Sequence, residues 1–99
     1  MAQVEFIWDL EGDPGGNYWH ICIEGHGVSR EEVEEVVSGN FDTTTVSRTS
    51  GQPEAFGWTS TGKYIVVVFD RVEVDPPVVY PVTAYEVPPP GRGKRRKKR

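Results

Sequence analysis

Cysteine is nearly absent from this chain. Cys22 stands alone among 99 residues, so no internal disulfide can staple a domain too small to bury a large core. A single thiol also fits a reducing compartment. Long apolar runs are missing as well: the longest, Tyr64 to Phe69, falls far short of the ~20 residues that a membrane-spanning helix needs. The N-terminus has no positively charged segment leading into an apolar core. Together these absences set the expectation of a soluble cytoplasmic protein with no membrane partner. Positive charge is scarce too. Residues 1 to 90 hold four basic against fifteen acidic side chains, a formal charge of −11, while the remaining seven cations crowd into residues 91 to 99. An acidic body repels phosphate at long range and a basic tail attracts it, unless the two find each other in cis.

Local sequence speaks most clearly at His26-Gly27-Val28-Ser29-Arg30-Glu31-Glu32-Val33. Ser29 followed three residues later by Glu32 is a capping box, and Val28 with Val33 forms the matching hydrophobic staple. Val33, Val36 and Val37 make one apolar stripe, and Gly39 is expected to supply a left-handed stop. A helix over about 30–38 follows. Ahead of it, Val4, Phe6 and Trp8 alternate as one face of a strand over 3–8. The segment from Asn17 to Gly25 alternates in part like a strand, but a short helix beginning near Pro14 or Asn17 and ended by Gly25 is preferred. Beyond the capped helix, strands are expected over about 43–48, 54–59, 63–70 and 78–87. The unbroken apolar run at 64–69 predicts burial on both faces and a central place in the sheet. Pro81 cannot donate a ladder hydrogen bond, which predicts an edge or a bulge there. Pro88-Pro89-Pro90-Gly91 forbids a closing helix.

These elements describe an α+β domain over residues 1–87, a small antiparallel meander packed on one or two N-terminal helices in the order β-α-α-β-β-β-β. Residues 88–99 are expected to form a proline-rich linker and a disordered basic tail.

Phe6, Trp8 and Asp9 on the first strand, Asn17, the stretch His26-Gly27-Val28-Ser29 with its glutamate-rich helix, Gly57, Thr61-Gly62-Lys63 and Val82-Thr83-Ala84-Tyr85 occur in an order that resembles the BrnT family of bacterial type II toxins. The resemblance covers residues 4 to 86. It implies a RelE-like fold, metal-independent RNA cleavage and a cognate antitoxin of the BrnA type. Two positions depart from it: Gln52 and Tyr85 stand where the family carries arginines, and a neutral side chain cannot replace a fixed cation at a phosphate.

RNA cleavage without a metal needs a base for the 2′-hydroxyl, an acid for the leaving oxygen and a cation for the developing charge. The candidates are His20 and His26 as titrating groups, Glu54 as a carboxylate base, Arg48 as a phosphate clamp and Tyr85 as a proton donor or stacking platform. Lys63 and the tail residues Lys94, Arg95, Arg96, Lys97, Lys98 and Arg99 are candidate phosphate contacts, the tail acting without reading sequence. His20, Cys22 and His26 offer metal-ligand types but no fourth ligand at a zinc spacing, so no metal and no cofactor is expected. Each candidate has a plainer reading. The histidines can serve as turn-stabilising or core groups, Cys22 as a small buried hydrophobe, and Trp8, Trp19, Trp58, Phe56 and Tyr64 as core rather than base-stacking rings. The glutamates then form a solvated face. The competing functional reading is a catalytically inactive module that binds a protein partner through its acidic helix and nucleic acid through its tail.

Overall fold

The structure, a computed structural model, describes residues 3–25 and 27–89. The first strand, β1 (Glu5–Phe6), is followed by α1 (Trp19–Ile23) and α2 (Arg30–Glu35). Then come β2 (Phe41–Val46), β3 (Pro53–Trp58), β4 (Tyr64–Glu73) and β5 (Val78–Glu86). The five strands form one sheet in the order β1-β5-β4-β3-β2, an α+β domain. Strands β2 to β5 are the expected antiparallel meander. The sheet as a whole is mixed and not antiparallel throughout, because β1 lies parallel to β5. The helices return the chain at the far edge of the sheet, and three reversals bring β5 back beside β1 in the same direction. β1 is also shorter than expected, though Glu5 N–H donates to Pro77 O and Ile7 N–H to Val79 O, each at 2.9 Å.

The capping box forms as the sequence dictates. Ser29 N–H donates to Glu32 Oε1 at 2.9 Å and Glu32 N–H donates to Ser29 Oγ at 3.1 Å. Val28 and Val33 are both buried. The helix ends differently from expectation: α2 opens at Val36–Asn40 into a wide turn, and Gly39 adopts φ 171°, an extended value and not a left-handed stop. α1 is a wide turn too, with Glu24 N–H reaching back five residues to Trp19 O at 2.8 Å. Gly25 follows for a steric reason. A Cβ there would lie 2.2 Å from Ile21 O.

Both helices cover one sheet face. Ile21, Val28, Val33 and Val36 pack with Ala55, Ile65, Val67, Phe69, Val79 and Ala84, and Val4, Phe6 and Trp8 close the rim. β4 is the middle strand, and all of Tyr64 to Phe69 is buried, as its composition predicts. Pro81 sits at a register irregularity of the β4–β5 ladder, the predicted bulge. No helix among the described residues is long and apolar enough to cross a membrane.

Candidate functional site on the outer sheet face

The face turned away from the helices is built by strand alternation. Ladder partners in an antiparallel pair share a face, so the registers place Thr83, Val68, Glu54 and Thr45 in one row across four strands. Tyr85, Val66 and Phe56 form the next row, and Tyr64 with Trp58 the one beyond. Val66 and Val68 lie deep among larger neighbours, while Tyr85 is 40% and Trp58 45% exposed. The rings form a cluster: Trp58 and Tyr64 have centroids 5.1 Å apart, and Phe56 stacks on Tyr64 at 6.4 Å. Tyr64 belongs to the core as expected, but Trp58 does not.

His20 reaches the rim of this face from α1. Its Nε2 is 3.2 Å from Thr83 Oγ1, and its Nδ1 is 3.6 Å from Glu24 Oε1, one helical turn away. An exposed imidazole flanked by a carboxylate and a hydroxyl has the parts of an oriented acid/base. It opens onto a cleft of about 350 Å³ lined also by Gly16, Asn17, Tyr80 and Val82. Tyr85 follows Thr83 by two strand positions, about 7 Å, and Glu54 lies two strands across, about 10 Å. The fold thus brings His20, Glu54 and Tyr85 to one face. Glu54 accepts a hydrogen bond from Thr45 Oγ1 at 2.8 Å. Arg48 sits on the exposed turn between β2 and β3, outside these rows. His26 and the tail residues Lys94 to Arg99 lie outside the described residues.

Beside His20 is a polar knot that sequence reasoning did not foresee. Asn17 is 4% exposed. Its side chain accepts from Asp9 N–H at 2.9 Å and donates to Ile7 O at 3.0 Å and Pro81 O at 2.8 Å, tying the loop after β1 to the bulge in β5. Asp9 Oδ2 accepts from Asn17 N–H at 2.9 Å and from the Tyr80 hydroxyl at 2.6 Å. The Tyr80 hydroxyl and the Asn17 amide hold the Asp9 carboxyl below its usual range, burial opposing them. The Tyr80 phenol is pushed up to about 12 by its bond to Asp9, then by burial and the nearby Asp9, Asp13 and Asp70 charges. Such a phenol is a poor proton donor at neutral pH. Gly16 permits the knot, since a Cβ there would fall 2.5 Å from the Asp9 Cβ. Asp9 and Asn17 stood out in the sequence, but nothing marked Tyr80.

The acidic helix is largely consumed inside the fold, which corrects its reading as a solvated face. Glu32, 5% exposed, accepts from the Thr61 hydroxyl and pairs with Lys63 Nζ at 3.1 Å, and the same ammonium also donates to Gly27 O. Burial raises the Glu32 pKa, but the Thr61, Ser29 and Lys63 hydrogen bonds outweigh it and leave the carboxyl below its usual range. Glu35 accepts from Ser60 N–H at 3.0 Å, and Glu34 from Trp8 Nε1 at 2.8 Å. Arg30 lies 5.4 Å from the Tyr18 ring and 6.0 Å from the Trp8 ring, with Glu11 at 3.4 Å. Arg71 stands over Phe69 at 5.7 Å.

Gln52 also reaches the outer face, donating from Nε2 to Asp70 Oδ1 at 2.8 Å. Asp70 is the ladder partner of Tyr80. Among the described residues no cluster of three or more histidine, cysteine or acidic side chains is placed to hold a metal ion, and Cys22 is half-buried with its thiol pushed up mainly by burial.

Fold and site together define a small α+β domain whose open sheet face carries a histidine at its β5 rim and exposed aromatic rings on β5 and β3. The chain matches no family model, no curated protein and no solved structure.

Proposed function

We propose that the chain is a BrnT-like toxin-family domain of RelE-like architecture, acting in a type II toxin–antitoxin pair with a BrnA-type antitoxin. In this reading its metal-independent ribonuclease chemistry is degenerate, so that RNA is held on the outer sheet face and not cut. The element order β-α-α-β-β-β-β supports the family reading. So does the role of the residues that carry the resemblance, since Trp8, Asp9, Asn17 and Lys63 each make a bond that ties two parts of the fold together and Ser29 caps the helix.

One observation carries the loss of cleavage. No arginine or lysine among the described residues shares the cleft of His20. Lys63 is bound to Glu32 and Gly27, and Arg30 to Glu11 and two rings. Gln52 and Tyr85, where the resemblance expects arginines, both belong to the outer face. Without a fixed cation, charge developing on a phosphorane in a carboxylate-flanked cleft goes unopposed. Retention of RNA is supported by the exposed rings of Trp58 and Tyr85, suited to stack unpaired bases. The seven cations of residues 91 to 99 add phosphate affinity that reads no sequence.

Anisotropy of a labelled single-stranded RNA tests the reading. Full chain should bind, Trp58→Ala and Tyr85→Ala should each weaken binding about tenfold, in line with ~1–3 kcal/mol per stacked base, and a chain ending at residue 89 should bind more weakly and with less salt dependence. Binding indifferent to both rings would refute the surface. A second reading, residual ribonuclease activity with His20 as base, is favoured by the orientation of its ring between Glu24 and Thr83. Cleavage abolished by His20→Ala would establish it.

A further inference from the structure

Both helices pack on one face of the sheet, and no helix or strand of the described residues lies over the outer one. That face has two unlike ends. At one stand the rings of Trp58, Tyr64 and Tyr85. At the other stand carboxylates: Glu54 in the row of Thr83, Asp70 one row further on beside Tyr80, and Glu24 at the rim next to His20. Glu54 is bonded only to the Thr45 hydroxyl and Asp70 only to the Gln52 amide, so neither charge is matched. No lysine or arginine of the described residues stands in these rows. The largest store of positive charge is the chain's own tail, with seven cations and no acidic residue over 91–99.

Where the tail starts fixes what it can reach. Val87 N–H donates to Tyr64 O at 2.9 Å, so the chain leaves β5 in the row of Tyr64 and Trp58, at the ring end of the face. Pro88 and Pro89 follow, both exposed. Counted along β4 from Tyr64, the Glu54 row lies four strand positions away, ~13 Å, and the Asp70 row six, ~20 Å. The ten residues 90–99 span up to ~33 Å when extended. Gly91 and Gly93 allow the reversal, since glycine takes φ of either sign.

We propose that residues 90–99 fold back over the outer face of their own sheet, the prolines against the exposed rings and the cations among Glu24, Glu54 and Asp70. Proline-rich segments are suited to aromatic surfaces, and opposite charges draw the rest of the tail on. Tethering selects this occupant over a second copy's tail or a foreign basic chain. A short linker holds the tail at an effective concentration in the millimolar range, which a separate chain at micromolar concentration does not approach. The docking itself needs no RNA. Its consequence, that the tail leaves carboxylates for phosphate when RNA takes the rings, rests on the reading above.

A nitroxide attached at Lys97→Cys in a Cys22→Ser background of the full chain tests it, by the broadening it causes in the resonances of nearby groups. At low salt the amides of Glu54, Val68 and Thr83 and the Trp58 indole should broaden, and those of Glu31 and Glu34, behind the sheet, far less. About 1 M salt, which screens charges beyond ~3 Å, should remove the broadening. Glu54→Gln with Asp70→Asn should remove most of it at low salt, and the salt arm decides the matter on the unaltered face. A mixture of spin-labelled chain with an isotope-labelled, spin-free copy separates contact within a chain from contact between chains. Broadening that is absent, spread evenly over both sides of the sheet, indifferent to salt, or present only between copies overturns the proposal. No arm contains RNA, so the docking stands or falls apart from the RNA reading.

Discussion

Glu32 offers the sharpest separation between an acidic surface and an acidic keystone. It closes the capping box on Ser29, accepts from Thr61 and pairs with Lys63, so one carboxylate fastens the start of α2 to the β3–β4 hairpin. In Glu32→Ala the Ser29 amide loses its partner, at about 1 kcal/mol for a broken cap. The Thr61 hydroxyl and the Lys63 ammonium lose their carboxylate partner as well, keeping Thr59 Oγ1 and Gly27 O, which adds about 2 kcal/mol. The expected loss is about 3 kcal/mol, which for a domain this size lowers the melting temperature by roughly 12–24 °C. Glu32→Gln keeps a cap acceptor but gives up the charge, and should lose about half as much. The control is Glu31→Gln, an exposed neighbour on the same helix, expected to stay within about 0.5 kcal/mol. Thermal and urea unfolding of the three variants decide the matter. If all four glutamates were a solvated stripe, removing either charge would relieve repulsion and stabilise, so Glu32→Gln melting at or above the wild type refutes the reasoning.

Four further expectations concern the polar knot, the two low carboxyls, the high phenol and the basic tail. Asn17→Ala leaves the carbonyls of Ile7 and Pro81 and the amide of Asp9 without a partner, and urea unfolding should show a loss of about 3 kcal/mol. Asp9 and Glu32 both have lowered pKa values in the folded state, so the stability they contribute is present above the ordinary carboxylate pKa and declines as pH falls below about 4.5. Acid titration followed by circular dichroism should show that decline flattened in Glu32→Gln. Tyr80 runs the opposite way. Its phenol is raised to about 12, so its contribution is complete below about 10 and is lost as pH rises toward 12, and ultraviolet titration should show a late-ionising tyrosine that Tyr80→Phe removes. Tail binding to RNA should weaken steeply with salt, each neutralised phosphate adding about −0.7 to the logarithmic slope. Ending the chain at residue 89 should remove most of that slope.

Local chemistry made the fold legible and left much of the site obscure. The capping box, its staple, the central apolar strand and the Pro81 bulge are decided by neighbours within a few residues or by simple alternation, and each stands where the sequence placed it. The parallel pairing of β1 with β5 joins segments more than seventy residues apart, and no local pattern specifies it. Gly39 misled because a glycine after an apolar stripe signals a left-handed cap, whereas here the helix widens and the chain leaves in an extended conformation. His20 and Tyr85 were picked out by residue type, and the fold does carry them to one surface. The Thr83 partner of His20, and the Asp9–Tyr80 pair beside it, depend on tertiary approach. The glutamates were misread for the same reason. Charge on a helix looks solvated until the hairpin that folds onto it brings Ser60, Thr61 and Lys63 within reach.

The central claim, that RNA is held and not cut, is tested most directly by incubating full chain with single-stranded RNA at low salt under chelator across pH 5 to 9, alongside His20→Ala. The account predicts intact RNA that migrates as a complex, identical for both proteins. Cleavage by the wild type that His20→Ala abolishes would contradict it and make the His20 cleft an active site.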